Sequence, residues 1–241
     1  MKRCIPALVF LLVLPALAAA QAPPAPPLVE GSVDFSFVST TGNSDTLSMG
    51  LAGDVIYRPE SWEIRNKAAF VRAETGNEVS AQSFAYLFRA ARAITPRLAG
   101  YGQYGYTRDT FAGIEHRNEV IGGLEYQLVN RAPHSLKVFG GLGYVNEQRL
   151  TGDDVSTGAL DTGWAYKWSL SKTAELTDDF RWDESFYDGS DWRIGHAIAL
   201  TTKVASILSL KVSHTVRYMN FPPPGFEKTD TIAAVALVAK F

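Results

Sequence analysis

Cysteine is nearly missing from this chain. One residue in 241 is a cysteine, Cys4, and it stands before an apolar run rather than after it. That place does not suit lipoprotein acylation, and a chain with no further thiol has no disulfide framework and no thiolate metal site. Long apolar runs are missing too. Beyond Ile5–Leu17 no stretch is apolar for long enough to form a membrane helix. Neither sign of charge dominates, with 23 basic against 25 acidic residues and no basic stripe, so nucleic acid is not an expected partner. The chain has no phosphate-binding glycine loop. Its four histidines, His116, His134, His196 and His214, have no zinc-ligand spacing. No cofactor and no metal are expected.

Lys2 and Arg3, the apolar run Ile5–Leu17 and the small residues Ala18, Ala19 and Ala20 read as a secretory signal peptide over residues 1–20, cleaved before Gln21. Residues 21–28 follow as a Pro/Ala-rich leader, and 29–241 as one domain. Cleavage removes two basic residues, leaving 23 − 2 = 21 basic against 25 acidic.

What the domain has in quantity is alternation. Val120, Leu124, Tyr126 and Leu128 alternate with Glu119, Glu125 and Gln127, and Phe180, Trp182 and Phe186 alternate with Asp179, Arg181 and Asp183. A period of two means strands with two unlike faces. Twelve strands are expected, at 29–39, 45–57, 62–73, 80–93, 97–109, 116–129, 135–149, 156–169, 173–187, 191–204, 207–220 and 228–241. Each reaches the roughly 9–11 residues that a tilted strand needs to cross a bilayer. Tight turns alternate with mostly wider polar loops, as in an antiparallel outer-membrane β-barrel. An even strand number places both termini in the periplasm.

On that orientation the outward aromatics sort by height. Tyr57, Trp62, Phe88, Tyr126, Trp168 and Phe241 fall towards the periplasmic rim. Phe37, Phe84, Tyr104, Tyr106, Tyr144, Trp182, Phe186, Trp192 and Tyr218 fall towards the outer rim. Two aromatic belts suit two membrane–water boundaries. Outer-membrane lipid is therefore an expected partner. The last strand, with Ala233, Val235, Leu237, Ala239 and Phe241 on one face, resembles the terminal signal read by the barrel-assembly machinery.

The inward face is the polar one, and two readings of it stay open. It is a narrow aqueous pore for small polar solutes or ions, or a web of salt bridges filling a closed barrel. Asp179, Arg181, Asp183 and Arg193 are expected to form its strongest charge cluster. Asp153, Asp154, Asp188 and Asp191 read as solvated loop acids before they read as a calcium site. A lipid hydrolase is a lower alternative, because His196 and His214 have outward parity, where a polar ring is costly. Ser209 and Ser213, however, point inward.

Thr41-Gly42-Asn43-Ser44-Asp45-Thr46 resembles the start of a bacterial domain family of unknown function whose members are labelled salt-induced outer-membrane proteins. Tyr106-Thr107-Arg108-Asp109, Phe111 and Gly113, with Arg117, Gly122-Gly123, Leu124 and Tyr126, resemble its central stretch. The resemblance implies an exported barrel induced under osmotic stress, and brings no catalytic or binding residues. The expected function is an integral outer-membrane barrel without catalysis, structural or osmotic in role, with a narrow channel as the alternative.

Overall fold

A computed structural model describes residues 26–41, 46–75, 78–186 and 188–241. The expected signal peptide, most of the expected leader, the Gly42–Asp45 part of the first motif and the side chain of Phe37 lie outside the described residues. Twelve strands follow one another: β1 Val29–Thr41, β2 Thr46–Tyr57, β3 Trp62–Thr75, β4 Glu78–Ala93, β5 Leu98–Asp109 and β6 Ile114–Arg131. They continue as β7 His134–Arg149, β8 Val155–Ser169, β9 Ala174–Ser185, β10 Trp192–Lys203, β11 Leu208–Met219 and β12 Thr229–Lys240. Every bound falls within two residues of its expected place. Each strand pairs antiparallel with its sequence neighbours, and β1 pairs with β12, so the sheet closes into a barrel.

One rim is made by the two termini and the short turns, the other by the loops. The loop rim is less open than the alternation predicts. Pairing of β3 with β4 continues through a register shift at Ala73/Glu74, leaving only residues 76–77 between them. The longest loop, 220–228, folds back onto its neighbours. Thr151 Oγ1 donates to Pro224 O at 2.6 Å. Phe226 covers Gly113, whose φ is +73° and whose absent Cβ would stand 2.6 Å from the ring. Ala112, Ile114 and Met219 bury one another, joining the β5–β6 loop to β11. Ile114 takes part because a register shift between Ile114 and His116 reverses its parity.

The parity rule sorts the faces. Val33, Phe35, Met49, Leu51, Val212, Val235 and Leu237 are exposed on the outer wall. Tyr57 ends β2, Trp62 opens β3, Trp168 nearly ends β8 and Phe241 follows β12, all exposed near the terminal rim, with Tyr126 farther in. Tyr106, Tyr144 and Trp182 lie in the loop-side halves of their strands, and Trp192 and Tyr218 stack there at 5.0 Å. Trp164 and Trp168 are exposed, so no layer of a sandwich covers them.

The inner face is not uniformly polar. Ala91, Tyr101 and Ile121 form a buried cluster inside the lumen, and Phe139 packs against it. Glycines form its floor. A Cβ on Gly141 would stand 2.6 Å from the Tyr101 hydroxyl, one on Gly143 2.7 Å from Ile121 and one on Gly163 2.8 Å from Phe139. Gly141 and Gly143 on β7 and Gly163 on β8 thus relieve crowding between the wall and the side chains lying across it.

The seam sets the length of the last strand. Gly31 and Phe241 exchange backbone hydrogen bonds at 2.9 and 3.0 Å, and the Phe241 ring lies over Gly31. A Cβ there would stand 2.4 Å from the ring. Gly31→Val therefore forces the ring off its seat, and is expected to lower folding free energy by about 1–3 kcal/mol in urea titrations of the micelle-refolded barrel. Gly102→Ala, whose Cβ meets nothing within 4 Å, is the matched control and should change stability little.

Candidate functional site in the barrel lumen

The lumen holds two ionic networks at different heights. The loop-side network centres on Glu147, whose side chain is 0% exposed. Its carboxylate accepts from Arg117 at 2.8 Å, Arg149 at 2.8 Å and Arg193 at 2.7 and 2.9 Å. Asp191 extends it, 3.3 Å from Arg149 and 3.7 Å from Arg193. Arg117 reaches Glu119 at 3.5 Å, and Glu119 pairs with Arg181 at 2.9 Å. Arg181 in turn holds Asp161 at 2.8 Å and Asp183 at 2.9 Å. A Cβ on Gly105 would stand 2.7 Å from Glu119, so the wall is cut back to admit that chain. Beside this network Arg217 of β11 pairs with Asp109 of β5. These strands are half a turn of the barrel apart, so the pair bridges the lumen from wall to wall. Asp109 also accepts from the Phe111 backbone N–H at 3.1 Å, tying the loop into the bridge.

The second network lies towards the terminal rim. Arg89 donates to Glu125 at 2.6 Å and to Gln103 at 2.7 Å, with its guanidinium 3.6 Å above the Tyr101 ring. Lys137 joins Glu125 at 2.8 Å. Arg58 links Glu30 and Glu63, Lys211 holds Asp34 at 2.9 Å, and Arg65 pairs with Asp54. Ion pairs at this spacing offset much of the cost of carrying charge into a wall of low polarity.

Of the four residues expected to cluster, Arg181, Asp183 and Arg193 belong to the loop-side network, the last two linked only through Arg181, Glu119, Arg117 and Glu147, and Asp179 stands outside it. Arg181 and Asp183 pair directly. Arg193 instead joins Glu147 on β7, and Asp179 faces Lys67 and Arg65 from the opposite wall. Side chains two apart on one strand point the same way but stand at different heights, so each meets a different cross-lumen partner. Glu147, Arg117, Asp109 and Asp191 were not picked out as the centre. Their inward parity was legible, but their convergence was not. Of the loop acids, Asp153, Asp154, Asp188 and Asp191 line one cavity of about 680 Å³ at the loop rim. Asp191 is committed to two arginines. Asp188 accepts from the Ser190 N–H at 2.8 Å, which holds its carboxyl below the usual carboxylate range. No metal-binding group of three such side chains occurs among the described residues.

The outer wall carries its own polar groups, several of them answered by an aromatic or a histidine. Tyr86 donates to Asn66 at 2.9 Å and Tyr104 to Asn118 at 2.8 Å. The Tyr106 hydroxyl lies 2.8 Å from His116, and that of Tyr166 2.8 Å from His134. Asp178, outward on β9, accepts from Trp164 Nε1 at 2.8 Å and lies 2.9 Å from His196 Nε2. His196 is therefore engaged with a carboxylate, and Ser209, buried on β11, stands on the other face of the sheet. Asp178 was missed in the sequence although its parity, shared with Phe180 and Trp182, marks it as the exception on that face.

The family described as a protein of unknown function, DUF481, matches residues 33–241. No curated protein matches the chain. Among solved structures, the NanC porin superposes with a TM-score of 0.60 at 9% identity, over 87% of this chain and 100% of that one. The translocator domain of the autotransporter NalP from Neisseria meningitidis gives 0.51 at 14%, over 91% of each. At these identities the likeness is one of fold, an outer-membrane barrel.

Glu147→Gln removes the one buried carboxylate on which three guanidinium groups converge. Urea unfolding should show a loss of about 3–5 kcal/mol, as for breaking a buried ion pair from one side. Glu74→Gln, which breaks an exposed pair with Arg72 on the outer wall, should cost less than about 1 kcal/mol.

Proposed function

The chain belongs to the DUF481 family of proteins of unknown function, and we propose that it is an integral outer-membrane barrel whose lumen is closed at rest by an ionic plug. Its role is structural or osmotic within the cell envelope, and it has no catalytic step. The observation that carries this reading is the Arg217–Asp109 bridge beside the Glu147 network. Together they place paired, largely buried side chains across the loop-side part of the lumen. A conducting pore needs a continuous wetted path, and ion pairs that satisfy one another leave little capacity to coordinate a passing solute. The apolar outer wall and its rim aromatics support insertion in a bilayer, with the termini and short turns on the periplasmic side. The absence of catalysis is supported by His196, which spends its ring on Asp178, and by Ser209 and Ser213, which face the lumen.

A narrow, gated channel is the second reading, favoured by Lys67 and Asp179. Both are exposed to the lumen below the plug and are not within ion-pair distance of each other. The two readings share one experiment. In planar bilayers the wild-type barrel is expected to stay silent at low voltage. The Arg217→Ala, Glu147→Gln double variant, if it folds, is expected to show discrete conductance steps. Arg217→Ala alone, which leaves the Glu147 network in place, should show briefer or smaller ones. Stable, large steps from the wild type would sink the closed-barrel reading.

A further inference from the structure

Every charge in the lumen can be asked whether the fold answers it. Among the described residues, Arg58, Arg65, Arg89, Arg117, Lys137, Arg149, Lys167, Arg181, Arg193, Lys211 and Arg217 each have a carboxylate within ion-pair distance. Lys67 faces Asp179 at longer range. Among the other lysines, Lys228 at the loop rim has no ion pair, and at the terminal rim three more are answered by none among the described residues, namely Lys172, Lys203 and Lys240.

They are not scattered. Lys172 stands in the β8–β9 turn, Lys203 ends β10 and Lys240 ends β12, and all three line one cavity of about 300 Å³ at the terminal rim. Lys203 and Lys240 have inward parity, facing Ser209 and Ser32 across their ladders. The one acid in the lining, Glu175, is neutralised by Lys167 at 2.5 Å. The rest of the lining is rich in hydroxyls, with Ser169, Thr201 and Ser209 pointing in from three strands. Three ammonium groups around a polar recess repel one another, and among the described residues no carboxylate stands within ion-pair distance of any of them to offset that repulsion. An anion that spans the recess relieves that repulsion, and the hydroxyls supply neutral donors to its oxygens.

We infer that the terminal-rim mouth of this barrel, at Lys172, Lys203 and Lys240, is a binding site for a small multivalent oxyanion, a solute bearing two or more carboxylate or phosphate groups. A recess of about 300 Å³ admits a solute of several linked anionic groups, and each added anionic group gains a further favourable charge interaction with the lysines around it. The site does not depend on whether the lumen conducts. It lies beyond the ionic plug from the loops, so it can hold an anion with the plug intact.

The test uses the full mature barrel refolded in uncharged detergent, with citrate and tripolyphosphate as probes in separate calorimetric titrations. Citrate tests carboxylate chemistry and tripolyphosphate tests phosphate chemistry. Binding of at least one probe is expected, with one site per barrel and an affinity that falls as salt is raised. The triple variant K172Q/K203Q/K240Q should bind about tenfold more weakly or worse. K228Q, at the loop rim, should bind as wild type does. Folding of each variant is checked by its heat-dependent gel shift. If the triple variant fails to fold, K203Q alone is expected to weaken binding several-fold. Absence of binding by both probes overturns the inference, as does unchanged affinity in the lysine variants. Silent bilayers with intact binding would leave this site standing and the channel reading refuted, so the two failures can be told apart.

Discussion

Closure of the sheet is the constraint on which everything else depends. In hydrocarbon a strand edge has no water to satisfy its N–H and C=O groups, so an open twelve-stranded sheet could not lie in a bilayer. The β1–β12 ladder, from Ser32↔Lys240 to Thr41↔Thr231, removes that edge. Its last rung is the exchange between Gly31 and Phe241, where the glycine leaves room for the terminal ring. Once closed, the barrel has an inside and an outside, and period-two alternation becomes a division between lumen and lipid-facing wall.

Closure also creates a filling problem. Twelve strands enclose more space than side chains fill in the smallest barrels. The two sides of this lumen meet it differently. Along β5–β8, glycines lower the wall so that Tyr101, Ile121 and Phe139 lie across it as a small apolar core, with Arg89 resting on the Tyr101 ring. Towards the loops, arginines reach across to carboxylates on distant strands, and Glu147 gathers three of them. Long cationic side chains thus serve as struts as well as charges. Strands β10 and β12 carry small inward residues such as Ala197, Ala199, Ala234 and Ala236, and Lys67 on β3 and Asp179 on β9 are exposed to the lumen.

The outer wall obeys the converse rule, with informative exceptions. Asn66, Asn118, His116, His134 and Asp178 face outward, and a tyrosine hydroxyl or an indole N–H lies at hydrogen-bond distance from each. An outward polar atom left alone would cost several kcal/mol in hydrocarbon. An aromatic neighbour supplies a partner while keeping an apolar flank towards acyl chains. Some of the aromatics in the expected belts therefore have a second task besides marking the membrane boundaries: Tyr104 and Tyr106 cap polar neighbours.

The sequence by itself determined what is local. Alternation named the strands, their faces and their number, because a strand's side chains change face at every residue whatever the strand pairs with. It marked Arg181 and Asp183 as inward neighbours for the same reason, and the tyrosines and tryptophans near strand ends as rim residues. It began the sixth strand at 116 and so did not reach Ile114, which a bulge turns inward, and it ended the third strand at 73, where pairing with the fourth runs on. Only the tertiary structure decided which inward charges meet. Asp109 and Arg217 are 108 residues apart in the chain and half a barrel apart in the sheet. Their pairing follows from barrel radius, strand tilt and stagger, and these belong to the closed ring of twelve strands. The same holds for the three lysines left unanswered at the terminal rim. Each reads as an ordinary strand-end cation, and only the closed ring sets them around one recess.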